Sequence, residues 1–194
     1  MTSNIILAGV GGQGILTIAA IIDIAALNNN LYVKQAEVHG MSQRGGAVQS
    51  HVRISDKEIY SDLIPEGKAD LILSVEPMES LRYLPFLKED GWLITDSNPF
   101  ININDYPEKA ALHKKINSLP NTILANATDI AKELGNSKAA NIVLLGIASN
   151  LLSLSEDSII EAIKTLFSRK GERVVNKNIE AFFKGKEIAT EVAP

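Results

Sequence analysis

The sequence predicts an α/β fold: a Rossmann-like, mostly parallel sheet with an inserted hairpin and a helical carboxyl-terminal part. Three observations predict it. The apolar run Asn4 to Ala8 enters Gly9-Val10-Gly11-Gly12-Gln13-Gly14, and a long apolar segment follows at once. That is the order of a buried strand, a glycine turn and a helix N-terminus. The spacing from this strand to the next, Leu31 to Val38, fits one right-handed strand–helix–strand unit. From about Ala127 onward the periodicity is helical.

The elements follow in order. Gln13 to about Leu27 reads as a helix stopped by Asn28-Asn29-Asn30, residues that tolerate turn conformations. His39 to Gly46 has three glycines in eight residues and no period, so it reads as a loop. Ala47 to Ser55 alternates. Val48, Ser50, Val52 and Ile54 face one way and Gln49, His51 and Arg53 the other, which predicts a half-exposed strand. Ser55 to Glu58 reads as a hairpin turn into Ile59-Tyr60-Ser61. Asp70 to Val75, Gly91 to Asp96 and Asn121 to Ala125 read as further strands, and Glu76 to Leu87 as a short helix interrupted near Pro85. Helices are expected over 129–134, stopped by Gly135, and over 139–152, apolar nearly all round and so buried. Another starts at Ser155, with acidic residues in its first turn. A last one runs over 176–183 and ends at Gly185, with 186–194 as a tail.

One domain spanning 1–194 is expected from a length that supports a single sizeable core. Charged residues are 22% of the chain and apolar ones 45%, the balance of a globular domain rather than a disordered one. A net charge of −4 gives no sign of nucleic acid or an anionic membrane as partner. The chain has no cysteine, which excludes a disulfide framework, a cysteine nucleophile and thiolate ligands for zinc or an iron–sulfur cluster. The longest apolar stretch, 15–27, contains Thr17 and Asp23 and is too short to span a bilayer. A cytoplasmic location is the default expectation.

Two segments carry candidate chemistry. Gly9, Gly11, Gly12, Gln13 and Gly14 form the first, a candidate cofactor-binding turn: its glycines admit close approach, and helix N–H groups there favour a phosphate. Glu37 lies 23 residues after Gly14, where a dinucleotide site wants an acid for a ribose hydroxyl. The alternative is that the glycines serve only a tight turn and close packing. The second segment, Glu37-Val38-His39-Gly40-Met41-Ser42-Gln43-Arg44-Gly45-Gly46, puts an acid, an imidazole, a hydroxyl, an amide and a guanidinium into ten residues. No nucleophile or metal partner stands near His39 in sequence. A partner or ligand contact through Glu37, His39, Ser42, Gln43, Arg44, Gly45 and Gly46 therefore outweighs catalysis. His39, His51 and His113 would form a metal site only if the fold gathered them. Asp96 and Asn98 read as caps, whereas Asn141, on an apolar helix, is expected to contact another loop or chain.

These residues resemble one family. Gly9 to Gly14 followed by the Glu37-to-Gly46 segment is similar to the small γ-type subunit of 2-oxoacid:ferredoxin oxidoreductases. The Glu-Val-His-Gly-Met-Ser-Gln-Arg-Gly-Gly form is most similar to the β subunits of indolepyruvate:ferredoxin oxidoreductases. Asn141 with Leu144-Leu145-Gly146, and Asn176 to Gly185, fit the same pattern, so the resemblance spans nearly the whole chain. It implies an accessory subunit without catalytic residues of its own, in a complex that decarboxylates a 2-oxoacid oxidatively to an acyl-CoA. Thiamine diphosphate and the iron–sulfur clusters would sit in a larger partner subunit, with coenzyme A and ferredoxin as further participants. This chain would hold no cofactor by itself, and a homodimer is a possible form of the isolated chain. The alternative is a stand-alone NAD(P)- or nucleotide-binding protein on the same turn. A stand-alone dehydrogenase would need a set such as Tyr-x-x-x-Lys. None of Tyr32, Tyr60, Tyr83 and Tyr106 has a lysine four residues on.

Overall fold

Along each central strand, alternate residues feed two different cores. Ile5, Leu7, Val52, Ile54, Leu71, Leu73 and Ile94 face one side, and Ile6, Ala8, Ile72 and Leu93 the other. A sheet covered on both faces is what near-continuous apolar runs require. The computed structural model describes residues 2–39 and 45–192. Its strands are β1 (Thr2–Val10), β2 (Tyr32–His39), β3 (Ala47–Ser55), β4 (Ala69–Ser74), β5 (Leu87–Asp96) and β6 (Thr122–Ala125). The helices are α1 (Ile15–Asn28), α2 (Pro77–Arg82), α3 (Lys109–Asn117), α4 (Ala127–Glu133), α5 (Ala140–Ala148), α6 (Glu156–Phe167) and α7 (Glu172–Val192). The sheet order is β2-β3-β1-β4-β5-β6. β1, β4, β5 and β6 are parallel, and β3 runs antiparallel to both β1 and β2.

The expected strand–helix–strand unit is therefore corrected. β1 and β2 run the same way, but β3 lies between them. The inserted hairpin is β2–β3, closed through the glycine segment, and not a hairpin from Ser55 to Ser61. No strand forms at 59–61, because both edges of β3 are already occupied. Instead Arg53 Nη1 donates to the carbonyls of Ser61 (2.7 Å) and Leu63 (3.3 Å), and Ile64 N donates to His51 Nδ1 (3.0 Å). His51 and Arg53, two of the polar residues that made β3 read as half exposed, thus serve a segment folded back across its face, and His51 is buried.

Local signals explain the starts of α2 and α6. Glu76 caps α2, accepting from Glu79 N at 2.8 Å with Pro77 in the first turn. Ser155 caps α6, accepting from Ser158 N at 3.2 Å. The end of α7 departs from expectation. The helix runs through Gly185 to Val192, and the supposed tail is helical up to there, with Ala189 buried. Gly185 is a contact rather than a stop. A Cβ there would lie 1.9 Å from the Val143 carbonyl oxygen, and one on Gly146 would lie 2.0 Å from that of Phe182. α5 and α7 cross backbone to backbone at these two glycines.

One buried charge on α1 predicts a pH effect. Asp23 Oδ1 has no hydrogen-bond partner, and burial pushes its carboxyl up to about 6. The folded chain thus holds this proton more tightly than the unfolded one, and stability is lost as pH rises through that value. Asp23→Asn removes the cost. Thermal melts should show a gain of roughly 1–2 kcal/mol at pH 7.5, allowing for partial exposure, and clearly less at pH 5. An equal gain at both pH values would show that the charge is not responsible.

Candidate site at the carboxyl edge of the sheet

Beyond β1 the chain turns left in the sheet to β2 and β3, while beyond β4 it turns right to β5. The crevice between the ends of β1 and β4 is thus the topological switch point, where such sheets bind ligands. Here the two glycine segments meet. Gly11 N donates to the Gly46 carbonyl at 2.9 Å, and Gly45 N to the Gly11 carbonyl at 3.4 Å. Gln13 closes the crevice from within: its Oε1 accepts from Val10 N (2.7 Å) and its Nε2 donates to the Val75 carbonyl (3.1 Å). A Cβ on Gly9 would strike Val75 Cγ2 at 2.6 Å, which leaves that position to glycine. Gly14 sits in the left-handed region (φ 80°) at the start of α1. Asn141 Nδ2, from the first turn of α5, donates to its carbonyl at 3.0 Å.

On the α5–α7 side of this turn lies a cleft of about 710 Å³, lined by Gly12, Gly14, Thr17, Asp96, Thr128, Lys138, Asn141, Lys170 and Asn178 among others. Neither α1 nor α5 has a side-chain cap at its N-terminus. The N-terminal ends of these helix dipoles and the two lysines give the cleft an anion-accepting character. Asp96 is the acid in it. Its carboxylate accepts from Asn98 N (3.2 Å), Thr128 N (3.1 Å) and Thr128 Oγ1. Burial nevertheless raises its pKa above the usual carboxylate value. Asp96 thus holds its own strand end through Asn98 N and caps α4 through Thr128, a helix that begins 31 residues on.

The opposite side of the crevice is covered by the 97–108 segment. Glu76 Oε1 accepts from Phe100 N at 3.3 Å and from the Tyr106 hydroxyl. Burial raises the Glu76 carboxyl, and burial with the Glu76 contact raises the Tyr106 phenol. Asn102 Nδ2 donates to the Gly45 carbonyl at 2.7 Å, joining this segment to the glycine pair. Nothing local in the sequence announces this assembly. Its one sequence signal is the apolar Phe100-Ile101-x-Ile103 in a stretch with no helix or strand period.

A family model described as pyruvate ferredoxin/flavodoxin oxidoreductase matches residues 4–188. The chain belongs to this family. The indolepyruvate oxidoreductase subunit IorB of Thermococcus kodakarensis is 38% identical over 199 residues, covering 97% of this chain and 96% of that one. The keto/oxoacid ferredoxin oxidoreductase γ subunit of Geobacter sulfurreducens superposes with a TM-score of 0.72 at 29% identity, over 98% of this chain and 99% of that one. The 2-oxoglutarate:ferredoxin oxidoreductase of Magnetococcus marinus superposes with a TM-score of 0.79 at 23% identity. It takes in 99% of this chain but only 32% of that longer one. The family resemblance and the α/β fold expected from the sequence are thereby established.

Within this family member the predicted site residues divide. Gly9, Gly11, Gly12, Gln13, Gly14, Asn141, Gly45 and Gly46 come together at the carboxyl edge, although the Gln13 amide and the Asn141 amide are spent on the chain's own backbone. Glu37 does not join them. It is exposed on β2 opposite Ser50, with all of β3 between it and β1. Two strand spacings, roughly 10 Å, separate it from the first strand, so the acid that a dinucleotide ribose needs is not beside the turn. Ser42, Gln43 and Arg44 lie outside the described residues, as does the His39 side chain. The histidines are not gathered: His51 packs edge-on to Phe86 with burial lowering its pKa, and His113 Nε2 bonds the Ser97 carbonyl at 2.8 Å. Among the described residues no group of three His, Asp or Glu side chains is placed to hold a metal. Nor is any helix there long and apolar enough to cross a membrane. With no cysteine in the chain, the residues present do not fit an iron–sulfur cluster.

Proposed function

We propose that this chain is the small subunit of an indolepyruvate-type 2-oxoacid:ferredoxin oxidoreductase, acting in the cytoplasm. Its partner is a larger subunit that carries thiamine diphosphate and the iron–sulfur clusters and passes electrons to ferredoxin. The observation that carries this reading is similarity over the whole chain to the Thermococcus subunit. The geometry is compatible with it: the carboxyl edge has a cleft and a pinned pair of glycine segments, and the sequence has no cysteine to hold a cluster. The Magnetococcus enzyme is described with coenzyme A bound, and the cleft with Lys138 and Lys170 is our candidate contact for a phosphate of that co-substrate. The alternative of a stand-alone NAD(P) protein loses its ribose acid to the β3 insertion.

The test is reconstitution. The isolated chain should not reduce a viologen dye with indolepyruvate and coenzyme A, whereas the chain purified with its larger subunit should. Titration of the isolated chain with NAD or NADP should show no binding tighter than about a micromolar, near −8 kcal/mol. Turnover by the chain alone, or micromolar NAD binding, overturns the proposal.

A further inference from the structure

We propose that residues 97–106 form a preset docking strap, whose Phe100, Ile101 and Ile103 side chains seat in an apolar recess of the larger subunit. The inference rests on the subunit reading above. The strap is fastened at successive points. Asn98 Nδ2 donates to Asn126 Oδ1 at 2.7 Å, Phe100 N and the Tyr106 hydroxyl donate to the fully buried Glu76, and Asn102 Nδ2 donates to the Gly45 carbonyl. Asn98, Asn102 and the Tyr106 hydroxyl are turned inward and only Asn104 and Asp105 outward, while Phe100, Ile101 and Ile103 remain 44%, 71% and 47% exposed. A surface loop left to water would do the reverse, because apolar surface is driven out of water and amides are not. Holding the backbone by a buried carboxylate removes most of the ordering cost that a partner would otherwise meet.

Two observations choose the occupant. Residues 97–104, Ser-Asn-Pro-Phe-Ile-Asn-Ile-Asn, carry no charge in a chain that is 22% charged, and Asp105, beyond the apolar side chains, is the strap's one charged residue. Interface cores are depleted of charge and enriched in aromatic residues, so the strap fits an apolar recess with an amide-bearing rim. In the Magnetococcus enzyme this fold makes up 32% of a longer chain, so the fold there is joined to a larger body of the same enzyme. The strap lies on the carboxyl edge and is continuous through Asn102 with Gly45 and Gly11. An occupant from the larger subunit would reach all of these at once.

The experiment measures binding of the purified chain to the larger subunit of its complex by biolayer interferometry, beside the melting temperature and self-association of each variant. Ile101→Asp should weaken binding at least about tenfold and leave the melting temperature unchanged. Leu27→Asp, at a comparably exposed position (59%) at the far end of α1, should bind like the parent. Asn102→Ala keeps the three apolar side chains but frees the strap. It should weaken binding and speed hydrogen exchange at the Gly45 and Gly11 amides. Parent-like binding by Ile101→Asp overturns the strap and leaves the subunit reading standing. Loss of self-association by Ile101→Asp, with unchanged binding to the larger subunit, makes a second copy the occupant and also overturns it. A parent chain that does not bind the larger subunit sinks the subunit reading and the strap together.

Discussion

Gly185→Ala is expected to lower the melting temperature by roughly 10 °C. The added Cβ would stand 1.9 Å from the Val143 carbonyl oxygen and 2.8 Å from its carbon, both backbone atoms of α5. No rotamer change relieves a clash with backbone, so α7 must move away along the crossing. The reciprocal contact of Gly146 with the Phe182 carbonyl then opens as well. Phe182 and Ala181, fully buried between the two helices and the sheet, lose packing in the same step. Overpacking costs about 1–3 kcal/mol, occasionally more, and a clash with backbone that cannot turn aside belongs at the upper end. At roughly 2–4 °C per kcal/mol for a chain of this size, the shift follows. Alanine's better helix propensity offsets less than about 1 kcal/mol. Thr190→Ala, exposed on the same helix, is the control and should melt like the parent. A Gly185→Ala protein that melts with the control would mean the helices are not in backbone contact.

The second large effect is at Gln13. Gln13→Leu is expected to cost about 2–4 kcal/mol in urea unfolding. It removes the acceptor for Val10 N and the donor to the Val75 carbonyl at the ends of two central strands. Each buried backbone group left without a partner costs about 1–3 kcal/mol. Gln13→Glu keeps the acceptor but sets a carboxylate oxygen against the Val75 carbonyl, and it should fall between parent and leucine. A leucine variant within about 0.5 kcal/mol of the parent would show that water reaches both groups. The Gln13 amide would then be free for a ligand, which is the role its place in the glycine turn invites.

That contrast shows what was legible in the sequence. The Gly9–Gly14 turn, α1, β4 and the start of α6 at Ser155 were readable because period, cap and turn residues are local. The α/β class and the meeting of glycine turn and helix followed from them. The position of β3 was not readable. Which side of β1 a hairpin occupies is decided by packing over long sequence separations, and the polar Gln49, His51 and Arg53 disguised an interior strand as a surface one. Gly185 was misread for a similar reason: glycine is intrinsically a poor helix residue, and only the α5 backbone beside it explains its presence. At the candidate site, local reading found both glycine segments and Asn141. It missed Glu76, Asn102 and Tyr106, which act on residues 24 to 57 positions away.

The junction of Gly11 with Gly45 and Gly46 has a mechanical consequence. It caps an antiparallel ladder in which Thr2 to Val10 pair one for one with Ser55 to Ala47. A tug on the Gly45–Gly46 end along the strand direction loads those rungs in shear, all together, rather than peeling them one by one. Whatever grips the chain there holds a stiff lever fixed to the middle of the sheet, and displacement of one is displacement of the other.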